Sequence, residues 1–224
     1  MRQVKYCLPI IKPSKKEVIK SLNTKGFDYY EVWIDYIKDL DEEFVVSLAR
    51  KFREKIIFVF RRQNLESIKL SLETRRSLIS LLSKIPNFLD LDFLTQHDEL
   101  EFLKKSTTKL KLILSYHNYK ETPKLDFLVN LTTKMRRYNP DIYKFAIFCQ
   151  TENEVFVLLQ LLLKLKEEKL KYIVLGMGEI GQITRVVGSV SGNEINFTPK
   201  DLKEKSAKGQ LTKKSLELIL KEIN

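Results

Sequence analysis

In DIYKFAIFCQTENEVFVLLQLLLKLKEEKLKYIVLGMG (141–178), two strand-like runs flank one helix-like run, and this pattern indicates the class of fold. DIYKFAIF (141–148) and KYIVLGMG (171–178) are short apolar runs of strand length, whereas 151–169 carries apolar residues at helical spacing. Thr151 and Glu154 have the spacing of a capping box at the start of this helix. The stretch therefore predicts a strand, a helix and a second strand.

The same alternation of strand and helix extends along the rest of the chain. This alternation predicts the α/β class of fold and, within it, a (β/α)8 TIM barrel. Because no linker rich in Gly, Pro or Ser divides the chain, we expect a single domain over residues 1–224. The seventh unit is the weakest, because GEIGQITRVVGSVSG (178–192) predicts at best a short helix, and a doubly wound open sheet is the alternative architecture. The predicted strands are 3–10, 29–36, 55–61, 88–94, 111–117, 141–148, 171–178 and 194–198, and the clearest predicted helices are 14–25, 41–54, 67–84, 151–169 and 212–223.

Composition narrows the class of protein. The 224 residues are 43% hydrophobic and 31% charged, which is typical of a globular domain, and no apolar run is long enough to cross a membrane. The net charge of +11 comes from basic residues spread among acids, so we expect no nucleic-acid partner. The N-terminus has no signal-peptide pattern, and the cysteines Cys7 and Cys149 form neither a disulfide framework nor a metal motif. We expect a cytoplasmic protein without a metal.

Polar side chains recur on one face of the predicted strands. Side chains alternate across a strand, so Glu31 and Trp33 share a face of the second strand, and Arg61 ends the third. His117 lies on the polar face of the fifth strand and Lys144 on that of the sixth. A parallel barrel strand has no solvated face, so we expect these side chains to point into the barrel and converge.

Lys144 is the residue that points most directly to a chemistry. An ammonium is costly to bury unless it is paired or loses its charge. A neutral lysine amine in a partly dry pocket attacks a carbonyl carbon and forms a Schiff base. His117 would be suited to move a proton on the carbon next to the imine, and arginines would hold a substrate carboxylate.

Other interpretations of single motifs are weaker. GMGEIG (176–181) satisfies the dinucleotide pattern Gly-x-Gly-x-x-Gly after a strand, but no full helix and second strand of normal length are predicted after it. A nucleotide cofactor is therefore not expected. His97 stands at a predicted helix start beside acidic residues, which is typical of a surface position.

Seven segments together resemble type I 3-dehydroquinate dehydratase, the Schiff-base barrel enzyme of the shikimate pathway. The resemblance covers nearly the whole chain, and the segments stand in the family's order. A different Schiff-base barrel, such as a class I aldolase, would not explain the SYHNYKETP and KSAKGQ segments. The resembling segments are YYEVWIDY, FVFRR, FLDLDF, LSYHNYKETP, DIYKFAI, MGEIGQITRVVGS and KSAKGQLT.

The resemblance implies a role for each matching residue. Lys144 would form the imine with the ketone of 3-dehydroquinate, and His117 would transfer protons. Arg185 would bind the substrate carboxylate. The family also implies a homodimer, no cofactor and 3-dehydroshikimate as the product. The remaining substrate-binding residues would be Glu31, Trp33 (by position), Arg61, Ser206 and Gln210.

The sequence departs from the family pattern at three places. The family's arginine two residues after the strand-two glutamate is Trp33 here, and the loop proline is Lys208. The acidic residue that orients the histidine is replaced by Leu65, and Glu66 or Asp92 could serve instead. The alternative function is therefore a degenerate homologue that binds an anionic metabolite with weak or no dehydratase activity.

Overall fold

The computed structural model describes residues 3–60 and 70–223, and strands and helices alternate along both ranges. The strands are five residues long on average, and their side chains are nearly all buried. The strands are β1 (Tyr6–Ile10), β2 (Tyr29–Trp33), β3 (Ile56–Val59), β4 (Phe88–Asp92), β5 (Lys111–Asn118), β6 (Ile142–Phe148), β7 (Tyr172–Met177) and β8 (Asn196–Phe197).

A helix follows each strand, and several begin at a side-chain cap. Ser14, Asp41, Ser71, Thr151 and Thr212 each accept a hydrogen bond from a backbone N–H of the first turn, and the capping box at Thr151 is confirmed. The helices are α1 (Lys15–Leu22), α2 (Glu42–Lys51), α3 (Leu72–Leu82), α4 (His97–Lys104), α5 (Leu125–Met135), α6 (Glu152–Glu167), α7 (Gln182–Ser191) and α8 (Lys213–Glu222).

The eight strands form one sheet in the order β7-β6-β5-β4-β3-β2-β1-β8. Consecutive strands are neighbours, and the last strand pairs in parallel with the first, with Cys7 opposite Phe197. A doubly wound sheet would instead reverse its order near the middle. The predicted (β/α)8 barrel class is therefore confirmed, and the open-sheet alternative is wrong.

The chain folds into two compact units. Residues 9–114 form one, in which β2, β3 and β4 pair in parallel, with Glu31 opposite Ile57 and Trp33 opposite Val59. Residues 1–8 and 115–224 form the other, in which β6 pairs in parallel with β7 and Lys144 lies opposite Ile173. The single domain over residues 1–224 stays a prediction.

Helix α7 corrects one expectation, because it runs for ten residues instead of forming at best a short helix. Gly188 allows close packing in this helix, and Gly192 terminates it. A Cβ at Gly188 would lie 2.3 Å from the side chain of Asn193, which bonds both the N–H and the carbonyl of Val174. Gly192 ends the helix in the left-handed conformation, with φ of 114°.

Two strand ends also differ from the prediction. The predicted strand 29–36 stops at Trp33 and continues as a 3₁₀ turn over Ile34–Tyr36, and the predicted strand 88–94 stops at Asp92. Within residues 3–60 and 70–223, no helix is long and apolar enough to span a bilayer.

Candidate active site

Lys144 lies at the middle of β6 and is almost fully buried, with 4% of its surface exposed. Its Nζ lies 4.3 Å from the ring centroid of Phe197 on β8. β6 and β8 are not neighbours in the sheet, so the two side chains meet across its face and not along a strand pair. The sequence argument did not select Phe197, which lies in the predicted strand 194–198.

His117 lies near the carboxyl end of β5, the strand next to β6, and is half-buried. Its ring makes an edge contact with the ring of Tyr119, at 6.2 Å between centroids. The chain then turns at Asn118, whose side-chain oxygen accepts hydrogen bonds from the N–H groups of Lys120 and Glu121. This turn carries the chain from the histidine to the loop before α5.

Thr122 ties that loop to the end of β6. Its hydroxyl donates to the carbonyl of Phe148 at 2.8 Å, and its backbone N–H donates to Glu154 at 3.2 Å. Burial raises the pKa of Glu154, but hydrogen bonds from the N–H groups of Gln150, Thr122 and Thr151 outweigh it and hold the pKa below its ordinary value. One carboxylate therefore caps α6 and also fastens the loop that follows the strand of His117, a second use that helix-cap spacing alone does not predict.

Arg185 on α7 is a buried cation that has no anionic partner in the part of the chain that the structure describes. Only 4% of its surface is exposed, and its guanidinium makes no hydrogen bond or ion pair with the described residues. Burial alone lowers its pKa from the ordinary value of a guanidinium to about 10. It lines a narrow crevice together with Leu175, Asn196, Phe197, Thr198, Leu211 and Leu216. A buried, unpaired guanidinium is suited to bind an anion from outside the protein.

Ser206 and Gln210 hold their own loop together. The side-chain oxygen of Gln210 accepts from the N–H of Ser206 at 2.8 Å, and its amide nitrogen donates to the Ser206 hydroxyl at 2.8 Å. Gly209, with φ of 80°, brings the loop so close to Gly178 that a Cβ would lie 2.1 Å from the carbonyl oxygen there. The loop is thus docked on the turn after β7, while Lys208 is exposed.

The glycines of GMGEIG have a packing role in this turn. A Cβ at Gly176 would lie 2.8 Å from the Gly181 carbonyl oxygen, and a Cβ at Gly181 would lie 2.6 Å from backbone atoms of Gly176 and Met177. The tight turn explains the pattern without a dinucleotide.

Glu31 and Trp33 are neighbours on the same face of β2. Both are buried, with 3% and 9% exposed, and the indole N–H of Trp33 donates to the Glu31 carboxylate at 3.0 Å. Asp92 on β4 caps its own turn, where one oxygen accepts from the N–H groups of Leu94 and Thr95. That Asp92 orients His117 stays a prediction.

Three residues named in the sequence analysis lie outside the described residues. They are the substrate-binding candidate Arg61 and the two positions weighed for the histidine partner, Leu65 and Glu66.

The family model of type I 3-dehydroquinase matches residues 6–224. The 3-dehydroquinate dehydratase of Methanococcus maripaludis is 32% identical over 231 residues, covering 97% of this chain and 99% of that protein. That of Pyrococcus abyssi is 31% identical over 215 residues and covers 95% of both chains.

Two solved structures share the fold. The 3-dehydroquinate dehydratase from Geobacillus kaustophilus has a TM-score of 0.83 at 23% identity, covering 99% of this chain and 91% of that one. The type I enzyme from Clostridium difficile, solved with covalently modified comenic acid, has a TM-score of 0.83 at 24% identity, with 99% and 92% covered. Because the family model spans nearly the whole sequence and relatives above 30% identity match end to end, the chain belongs to the type I 3-dehydroquinase family.

Proposed function

We propose that the protein is a 3-dehydroquinate dehydratase that works through a Schiff base on Lys144. The observation that carries the proposal is the position of Lys144, buried on β6 with its amine against the face of Phe197. A buried lysine on a barrel strand is suited to attack a ketone through its neutral amine and to form an imine. Family membership supplies the substrate, because the relatives are named for it.

The reaction follows from the proposed roles. The Lys144 amine adds to the ketone at carbon 3 and expels water, which forms an iminium. His117 takes a proton from carbon 2, and the electron pair of that bond moves into the iminium. The hydroxyl at carbon 1 then leaves as water with a proton delivered by His117. Hydrolysis of the imine releases 3-dehydroshikimate and restores the amine.

The remaining candidates would bind the substrate. Arg185 suits the carboxylate because its guanidinium is buried and unpaired among the described residues. Ser206, Gln210 and Glu31 would contact hydroxyls, with Gln210 already using its carbonyl oxygen to hold the loop of Ser206. Arg61 is proposed from the resemblance alone.

Borohydride trapping tests the proposal directly. Incubation with 3-dehydroquinate and borohydride should add the mass of the reduced adduct to a peptide containing Lys144. Lys144→Met should abolish both the adduct and turnover, whereas Lys134→Met, at an exposed position on α5, should leave both unchanged. Turnover that survives Lys144→Met would end the Schiff-base proposal.

The alternative of a degenerate homologue is motivated by Trp33, which supplies one neutral donor where the family pattern has an arginine. The same assay separates the two functions. A purified protein that binds 3-dehydroquinate but turns it over at the background rate would favour the degenerate homologue. If the cloned gene restored the growth of a dehydratase-deficient strain, this would support a role in the shikimate pathway.

A homodimer is also part of the proposal. Exposed apolar side chains lie on two helices that pack against each other, with Phe156 and Leu163 on α6 and Ile183 and Val190 on α7. Such side chains suit burial against a second copy. Light scattering that gave the mass of one chain would contradict it. A cytoplasmic location, no nucleic-acid partner and no cofactor stay predictions.

A further inference from the structure

The contact between Trp33 and Glu31 is a hydrogen bond inside the protein at a place where a substrate contact is expected. The two residues are two positions apart on β2, so their side chains share one face of the strand. The indole Nε1 lies 3.0 Å from Glu31 Oε2, which is an ordinary distance for this bond. Both side chains are buried, so the bond is shielded from water.

The donor inventory of tryptophan limits what Trp33 can do. An indole has one N–H donor and no acceptor, whereas a guanidinium has five donors. An arginine at this position could bond Glu31 and a substrate at once. Trp33 cannot, because its single donor is used by the carboxylate.

The indole is itself held in place. Its ring makes an edge-to-face contact with Tyr36, at 6.0 Å between centroids and 78° between planes. This is a favourable geometry for two aromatic rings. A fixed ring with one N–H directed at Oε2 sets the orientation of the Glu31 carboxylate.

We propose that Trp33 is a positioning residue that acts through Glu31 and makes no hydrogen bond to the substrate. The inference rests on the proposed function, in which Glu31 contacts a substrate hydroxyl. It replaces the direct substrate-binding role expected for this position with an indirect one. Recognition of the substrate carboxylate then does not depend on residue 33.

A double-mutant cycle tests the role. Trp33→Phe removes the donor and should raise KM for 3-dehydroquinate about 10-fold, with kcat within about 2-fold, since a bond to a charged group is lost. Glu31→Met removes the acceptor. In the Glu31→Met background, Trp33→Phe should change KM by less than about 2-fold, because residues that act through one contact are not additive.

The matched control is Tyr30→Phe, which removes an aromatic donor from the opposite face of the same strand. Tyr30 donates its hydroxyl to the carbonyl of Thr24 at 2.9 Å, so its loss should lower stability without changing KM. Equal effects of Trp33→Phe in both backgrounds would overturn the positioning role, as would an unchanged KM in Trp33→Phe alone.

The contact can be tested without activity, because the chain has a single tryptophan. Its indole N–H gives one peak in a ¹H–¹⁵N spectrum, and Glu31→Met should move that peak upfield, whereas Tyr30→Phe should not. A peak that Glu31→Met leaves in place overturns the inference. A peak that moves in a protein without turnover of 3-dehydroquinate would instead overturn the proposed function and leave the Trp33–Glu31 contact standing.

Discussion

Replacing Arg185 with methionine should make the protein more stable and less active. The guanidinium is buried, its Nε has no hydrogen-bond partner among the described residues, and burial lowers its pKa from the ordinary value to about 10. At 1.36 kcal/mol per pKa unit, this corresponds to about 3 kcal/mol of destabilisation while the side chain is charged. A base with a lowered pKa in the folded state carries this cost at neutral pH and loses it only as pH rises above about 10.

Arg185→Met should therefore raise the free energy of unfolding at pH 7 by about 1–3 kcal/mol, or the melting temperature by several degrees for a chain of this size. The same change should lower kcat/KM for 3-dehydroquinate by at least about 100-fold, because two charged hydrogen bonds to a carboxylate are lost. Urea unfolding and steady-state kinetics measure the two effects on the same preparation.

Arg75 on α3 provides the matched control. It is also buried, with 7% of its surface exposed, but its Nε lies 2.8 Å from a carboxylate oxygen of Glu99 on α4, an ion pair by distance although the contact does not have hydrogen-bond geometry. Arg75→Met breaks this buried pair and should destabilise the fold by about 3–5 kcal/mol, with little effect on KM. An Arg185→Met variant that loses more than about 1 kcal/mol of stability would refute the reasoning, because Arg185 would then contribute to the fold.

Three further predictions concern the loop contacts and a buried acid. Gly209→Ala should raise KM at least about 10-fold, since its Cβ would lie 2.1 Å from the backbone oxygen of Gly178. Gly192→Ala, with positive φ but an ordinary contact of 3.4 Å to the Tyr172 hydroxyl, should cost only about 1 kcal/mol of stability. Thr122→Val should lower kcat by about 2- to 10-fold through loss of one hydrogen bond, and Thr133→Val, on the exposed face of α5, should not change kcat. Burial raises the pKa of Glu99 above 4.5 despite the attraction of Arg75. The free energy of unfolding should therefore fall as the pH rises from about 4.5 through the raised pKa. Glu99→Gln should remove this pH dependence, as measured by urea unfolding at several pH values.

The fold was predictable because its signal is local and repeated. Strand length, helical spacing and boundary residues recur eight times, so an error in one unit does not change the class. Helix α7 was underestimated because its glycines lower helix propensity, and the contact that requires Gly188, the side chain of Asn193 on the following turn, is set by tertiary packing.

The candidate site was predictable only in part. Alternation on β6 predicted that Lys144 would be on a buried face, since side-chain direction follows from the strand period. Its contact with Phe197 was not predictable, because β6 and β8 are not neighbours in the sheet and alternation along one strand does not show which other strand its side chains face. The hydrogen bond from Trp33 to Glu31 was equally hidden, because alternation shows that two side chains share a face but not which atoms meet.

The two buried arginines show why burial and sequence cannot assign a role to such a residue. Arg75 and Arg185 each lie on a helix, and the sequence alone does not show which anion faces either side chain. They differ in whether another described residue supplies an anion. Arg75 has Glu99 within 2.8 Å, so its charge is compensated before any ligand arrives. Arg185 has no such partner among the described residues, so an external anion that binds there would recover free energy that its burial costs. Addition of an unreactive carboxylate such as cyclohexanecarboxylate should therefore stabilise the wild-type protein against urea but not Arg185→Met.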